Sequence, residues 1–220
     1  MTLGPMARSR QVPRIQAELP RLPVQAMRDG TAGRILAAGL LLFARKGFYG
    51  TSIRDIGKEL GLEPANLYAY FESKEHLLAE LVRVGHEEHH GALRSALIGA
   101  DAGPVEQVRA LVRAHVRTHA EYPLLATVAN AEMHVLSPDL AAPARVLRAQ
   151  SEAMFHEVVR RGIDSGVFNP PHALVTVAAI GGMGMRVASW YQPDFPLSPA
   201  QIADVHAELS LRMLTGRAPR

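Results

Sequence analysis

The sequence predicts an all-α protein. Three observations carry this reading: apolar residues recur three and four positions apart, the runs open on Ser, Thr or Pro and close near Gly, and no stretch gives a strand signal. With 220 residues and 48% apolar content, the chain can bury a sizeable core in one large or two small domains. No cysteine is present, which excludes disulfides, thiol catalysis and cysteine zinc sites and suits a reducing cytoplasm. The longest nearly uncharged apolar runs, Ile35–Ala44 and Ala173–Met185, fall short of the ~18–20 residues that span a bilayer. The basic, proline-rich start has no apolar stretch behind it, as a signal peptide would. A cytoplasmic protein with no membrane partner is therefore expected.

Taken in order, residues 1–28 hold Pro5, Pro13, Pro20 and Pro23 and the arginines Arg8, Arg10, Arg14, Arg21 and Arg28, against the single acid Glu18. No helical period survives such a run. It reads as a flexible basic arm, either a plain disordered tail or a segment that follows a DNA backbone or enters a minor groove. Thr31–Lys46 is the first regular helix, with Ile35, Leu36, Leu40, Leu42 and Phe43 as core candidates and Gly47 after its end.

The rest of the chain is organised around Thr51–Lys74. Thr51 and Ser52 supply hydroxyls at a helix start, and Asp55 lies three residues after Ser52, as in a capping box. Ile53, Ile56 and Leu60 share one face, and Gly61 can turn the chain in a left-handed conformation. A second short helix restarts at Pro64, a tolerated first-turn proline, with Leu67 and Phe71 as its inward stripe. Ala65, Asn66, Tyr68 and Tyr70 are left pointing outward. So short and polar a helix must be held by its neighbours and shown to something outside, as the second helix of a helix-turn-helix is shown to a major groove. A helical hairpin inside a bundle would give the same pattern.

Two motifs separate these readings. Leu67-Tyr68-Ala69-Tyr70-Phe71-Glu72-Ser73-Lys74 and the upstream segment Gly47 to Gly57 resemble the DNA-binding domain of the TetR family of bacterial repressors, strongly over the first third of the chain and weakly beyond it. The resemblance implies a helix-turn-helix domain over 29–75 and a helical ligand-binding and dimerisation domain over 76–220. It places Pro64, Ala65 and Asn66 near bases, with Arg54 close by, and Thr51, Tyr68, Tyr70 and Lys74 on phosphates. It also implies a homodimer on a palindromic double-stranded DNA operator, released by a small-molecule effector. Charge agrees in sign: residues 1–83 carry 12 Lys/Arg and 8 Asp/Glu, or +4, and the remainder 12 and 13, or −1. A solvated surface would produce so modest a surplus equally well.

Ser73 caps a helix running past the domain to about Leu97, the mechanical link to the rest. After Gly99–Gly103, Pro104 opens a helix to about Tyr122, and Pro123 starts another. Leu140–Ser165 reads as a long helix with Val146, Leu147, Met154, Phe155, Val158 and Val159 on its apolar side, and His172 to about Tyr191 as a helix apolar nearly all round. Such a helix must be covered on every face, by the 140–165 helix on one side and by a symmetry mate on the other. Gly181, Gly182 and Gly184 would let that mate approach, or would only ease packing within one subunit. A last helix runs to Leu214. Nine helices are expected.

His86-Glu87-Glu88-His89-His90 matches H-E-x-x-H, which on a helix can place two histidines on zinc beside a general base. A zincin needs a third protein ligand and a cleft beside a sheet edge, so polar surface or pocket-lining histidines are the plainer reading. His115 and His119 form a further i, i+4 pair open to the same two readings, and no metal or cofactor is assigned. No phosphate loop after a strand, nucleophile elbow or thiol is present, so no enzyme is expected. Tyr122–Arg161 and the segment from Trp190 to Ser198 resemble a branch of the family regulating lipid and steroid breakdown, some of whose members respond to acyl-CoA thioesters. Met133, Phe155, Met183 and Trp190 would then line an apolar pocket, with His119, Asn130 and Arg148 orienting a polar head. Plain core packing would use the same residues.

Overall fold

The computed structural model describes residues 19–27 and 30–216, and every regular element among them is helical. Helix α1 (Gly30–Lys46) is buried from Ile35 to Phe43 and forms the floor of the N-terminal unit. Helix α2 (Ile53–Leu60) begins as its sequence dictates: the Ser52 hydroxyl accepts from the Asp55 N–H at 3.1 Å, and the Asp55 carboxylate accepts from the Ser52 N–H at 2.9 Å. Gly61 ends it at φ 66°, a conformation that costs a side chain roughly 1–2 kcal/mol. Helix α3 (Pro64–Tyr68) has only five residues. Phe71 therefore lies beyond the helix, yet it packs on the same core as the fully buried Leu67.

Helix α4 (Lys74–Ile98) is capped by Ser73, whose Oγ accepts from the His76 N–H at 3.1 Å. At 25 residues it is about 37 Å long. Behind it come α5 (Pro104–Glu121), α6 (Pro123–Ala131), α7 (Pro138–Asp164), α8 (Ala173–Trp190) and α9 (Pro199–Thr215), the nine expected helices. Proline occupies the first position of α3, α5, α6, α7 and α9, where its missing N–H breaks no helical bond.

Two apolar clusters share the interior, and α4 belongs to both. Its Leu77, Leu78, Leu81, Val82 and Val84 pack with α1, α2 and Leu67. Leu93 instead joins Val108, Leu111, Val112, Phe155, Val158, Phe168 and the inner faces of α8 and α9. The first cluster continues through Leu125 and Val128 of α6 to Ala141 and Ala144 of α7, so no gap in packing follows residue 75.

Three expectations need correction. Residues 1–18 and 28 of the expected arm lie outside the described residues, and 19–27 is not an arm. Leu22 is buried in the first cluster, and Val24–Met27 makes a 3-10 turn tied to α4 by a 2.7 Å bond from Gln25 to Glu88. One well-placed leucine outweighs the disorder that the prolines suggest. Secondly, α8 is longer than its uncharged run: its 18 residues are long and apolar enough to cross a membrane by length and composition alone. It packs instead against α5, α6, α7 and α9, with α5 as its chief cover, and turns Thr176, Val177, Ile180, Gly184 and Val187 inward. Leu174 and Val175 are each 63% exposed. Thirdly, Val146 of α7, expected inside, lies exposed.

Candidate functional site

Two sites emerge, joined by α4. The first is the surface formed by α2, the Gly61 turn and α3. Leu67 anchors α3, and Arg54, Ala65, Asn66, Tyr68 and Tyr70 are exposed around it with Pro64 half-buried at its start. Tyr49, 82% exposed and edge-on to Phe48, extends the same unit. Its position in the loop before Thr51 is the signal the helix-by-helix reading passes over. Thr51 and Lys74, however, are occupied locally. Thr51 is only 2% exposed and donates its hydroxyl to the Gly47 carbonyl at 2.9 Å. Lys74 donates to the carbonyls of Phe48 and Thr51, each at 2.7 Å, and lies 4.1 Å from the Phe48 ring centroid. Burial lowers its pKa. These two residues brace the loop before α2, and in this structure their side chains are bonded within the protein.

The second site is a cavity of about 410 Å³ bounded by α4, α5, α6, α7 and α8. Aliphatic and aromatic groups form most of it, among them Leu125, Ala129, Phe155, Val177 and Met185, while Gly181 and Gly182 open its α8 side. Of the residues expected to surround a ligand, His119, Asn130, Arg148 and Phe155 line it. Met133, Met183 and Trp190 do not. Met133 is buried in the first cluster, and Trp190 lies half out in solvent, stacked on His206. For Met183 the helical period decides: Leu174, Ala178, Gly181, Gly182 and Met185 fall on the cavity face, and position 183 turns away from it. Arg148 and Glu152 stand at the margin as an exposed pair 3.1 Å apart, which contributes little to stability but puts a guanidinium at the opening.

The unexpected part of the cavity is its polar wall. His86 and His89 of α4 face His115 and His119 of α5. His89 Nε2 and His115 Nδ1 are 2.8 Å apart, His115 Nε2 lies 3.0 Å from the Gly181 carbonyl, and His119 Nδ1 lies 2.7 Å from the His115 carbonyl. His86 Nε2 is buried without a hydrogen bond of ordinary geometry, although the backbone of Ala129 lies close. Desolvation is the main cause that pushes the pKa of His86 down to about 4, His89 to about 2 and His115 to about 3, and it lowers His119 as well. Mutual repulsion among the rings, and Arg148 beside His86, act in the same direction. All four are neutral at pH 7. Gly184 makes room for this wall, since a Cβ there would overlap the His115 ring. The sequence carried a signal in the spacing of His86, His89, His115 and His119, but not the information that the two helices bring these rings together.

Comparison with known proteins identifies both halves. Residues 35–81 match the family model described as bacterial regulatory proteins, tetR family, and residues 101–214 match the tetracyclin repressor-like C-terminal domain. The chain is 25% identical over 185 residues to the HTH-type transcriptional repressor KstR2 of Mycobacterium tuberculosis, covering 83% of this chain and 92% of that one. A tetR-family regulatory protein from Rhodococcus RHA1 shares 30% identity at a TM-score of 0.78, over 87% of this chain and all of that one. AibR, solved with isovaleryl coenzyme A and operator DNA, shares the fold at a TM-score of 0.71 and 23% identity, over 80% of this chain and 95% of that one.

Proposed function

The chain belongs to the TetR family of transcriptional regulators, and on that premise we propose that it is a homodimeric repressor whose operator is released when an apolar small molecule, an acyl-CoA thioester, enters the cavity. The observation that carries the proposal is the course of α4. Its first residue, Lys74, holds the loop before α2, and its fourth and fifth turns, from Gly85 to His89, line the cavity. A ligand wedged between α4, α5 and α7 acts directly on the helix that orients the DNA-binding unit. The cavity is chiefly apolar, as an acyl chain requires, and Arg148 at its margin suits an anionic head group left outside.

Pro64, Ala65 and Asn66 are assigned to base edges, with Arg54, Tyr68 and Tyr70 at their flanks. Dimerisation is assigned to the outer faces of α7 and α8. Val146 and Val175 are exposed there, and neither is among the residues that line the cavity. Two-fold pairing sets two recognition helices against successive major grooves, about 34–36 Å apart or at a longer spacing with bending.

An effector can shift operator affinity only by its differential affinity for the two states, and a coupling of ~1–3 kcal/mol gives a roughly 5- to 150-fold loss. The test is operator binding titrated with a panel of acyl-CoAs and their free acids, with calorimetry on the protein alone. At least one CoA ester is expected to bind the protein and weaken the operator complex. A panel in which none does either removes the acyl-CoA assignment and leaves the regulator without this effector class.

A further inference from the structure

The histidine wall holds more than a neutral cavity lining needs. His89 approaches from α4, and His115 and His119, one turn apart, from α5. One ring nitrogen of each lies within 4.8 Å of the other two. The hydrogen bonds fix which nitrogens these are. His119 Nδ1–H donates to the His115 carbonyl and leaves Nε2 as a lone pair. His115 Nε2–H donates to the Gly181 carbonyl and leaves Nδ1 as a lone pair, which accepts from His89 Nε2–H at 2.8 Å. Two of the three rings thus already spend their N–H on a backbone carbonyl and aim the other nitrogen at a common point, the arrangement by which metal-ligating histidines are oriented. We propose that His89, His115 and His119 form a binding site for a divalent transition-metal ion, best suited to zinc, that ties α4 to α5 inside the cavity.

Three imidazole nitrogens around tetrahedral zinc stand about 3.4 Å apart, given bonds of about 2.0–2.1 Å. The His89 Nε2–His115 Nδ1 distance of 2.8 Å is shorter than that value and no pair exceeds 4.8 Å, so rotations of the rings can close the site. Binding needs His89 to move its proton from Nε2 to Nδ1, which is a change of tautomer and releases no net proton. The donor set also selects the ion: three nitrogens and no carboxylate suit zinc, cobalt, nickel or copper and disfavour magnesium and calcium. Three protein ligands on one wall leave a fourth position open to the cavity for water or for a donor atom on the cavity's occupant. The same cavity carries the unpartnered Nε2 of His86, a buried polar group that such a water can satisfy. A hydrogen-bonded ring cluster with a purely structural role would have no use for that opening.

The experiment uses untagged protein freed of metal by a chelator. Cobalt(II) is added while the visible d–d absorption is followed, and zinc affinity is measured by competition with a chromophoric chelator. One ion per chain with micromolar or tighter affinity is expected, together with a rise in Tm on adding zinc. His89→Gln and His119→Gln should each weaken binding tenfold or more, whereas His134→Gln, on an exposed histidine, should leave it unchanged. Circular dichroism checks that the variants fold, and His89→Gln, on a half-buried ring, is the milder change. Failure to take up cobalt, or affinity unmoved in His89→Gln, overturns the site. So does binding that is abolished by His90→Gln and survives His89→Gln, since the i, i+4 pair His86 and His90 would then be the ligands. The readout involves the protein and the ion alone, so it stands or falls independently of operator release by an acyl-CoA.

Discussion

The four buried histidines predict a steep acid instability of the metal-free protein. In the folded state the pKa values of His86, His89 and His115 lie at about 4, 2 and 3, with His119 also lowered, whereas an unfolded chain has histidines near 6.5. Below that value the unfolded state binds protons that the folded state does not, so stability rises with pH in this window and falls as pH drops from about 6.5 towards 4. Each such histidine costs about 1 kcal/mol at pH 6 and about 2 kcal/mol at pH 5. The three with stated values together cost about 6 kcal/mol at pH 5, comparable to the whole stability of an ordinary domain at about 5–15 kcal/mol. Arg148 near His86, His90 near His89 and His206 near His115 act in the same direction and disfavour protonation of the cluster. Denaturant unfolding at pH 7.5, 6 and 5, with a chelator present and protein concentration held fixed, measures the slope. The triple variant His86→Gln, His89→Gln, His115→Gln should lose most of it. If the variant and the parent lose the same stability between pH 7.5 and 5, the rings are hydrated or charged in the folded protein and the reasoning fails.

Asn66→Ala should weaken operator binding by ~1–3 kcal/mol at one base position while leaving binding to random DNA nearly unchanged, as read by competition against single-base operator variants. Lys74→Met should behave differently: it removes two charge-assisted bonds to carbonyls, so thermal unfolding should show a loss of about 2–4 kcal/mol along with weaker binding to all sequences. A Lys74→Met protein of parental Tm would refute the bracing role. On the proposed pairing through the outer faces of α7 and α8, Val175→Asp should separate the subunits, because it places a charge on an apolar position that is 63% exposed in one chain. A monomer by light scattering of the parent protein at micromolar concentration would remove the dimer assignment.

The sequence was a reliable guide wherever the determinant was local. Ser52 and Asp55, Gly61, Pro64 and Ser73 each set a backbone conformation within three or four residues, and the helix ends follow from them. Its limits appear where a side chain's role depends on what another helix brings. Lys74 is a cation near a recognition helix and reads as a phosphate ligand until the carbonyls of Phe48 and Thr51 are seen to converge on it. Met183 and Met185 have the same chemistry two residues apart, and only the packing angle of α8 on α5 decides that the second faces the cavity. His89 lies inside the His86–His90 run, whose i, i+4 spacing draws attention to His86 and His90 instead. It becomes part of a three-ring cluster because α5 crosses beside it.

The local occupation of Lys74 also bears on how the two sites communicate. A lysine that only touched a phosphate would tie α4 to DNA and leave α2 and α3 free to follow or lag. A lysine bonded to the carbonyls on either side of the 48–51 loop ties the first turn of α4 to the start of α2, which Ser52 caps. On the proposed reading, then, α4 and the helix-turn-helix move as one body. From Lys74 to His89 is 15 residues, about 22 Å along the axis. A tilt of about 5° at the cavity therefore carries the first turn, and α2 and α3 with it, by about 2 Å. In a dimer both recognition helices shift, so their spacing changes by up to twice that displacement against a groove repeat of about 34–36 Å, enough to misplace hydrogen bonds whose useful range is a few tenths of an ångström. An ion at His89, His115 and His119 would resist the same tilt by pinning α4 to α5. Metal and acyl-CoA should therefore oppose each other: zinc-loaded protein should need more CoA ester to leave the operator, and by linkage the ester should weaken zinc binding by the same factor. Operator titrations with the ester, run with zinc and with chelator, read the first factor. Zinc competition with and without the ester reads the second, and the absence of any effect of either ligand on the other would mean that they do not act through one shared motion of α4.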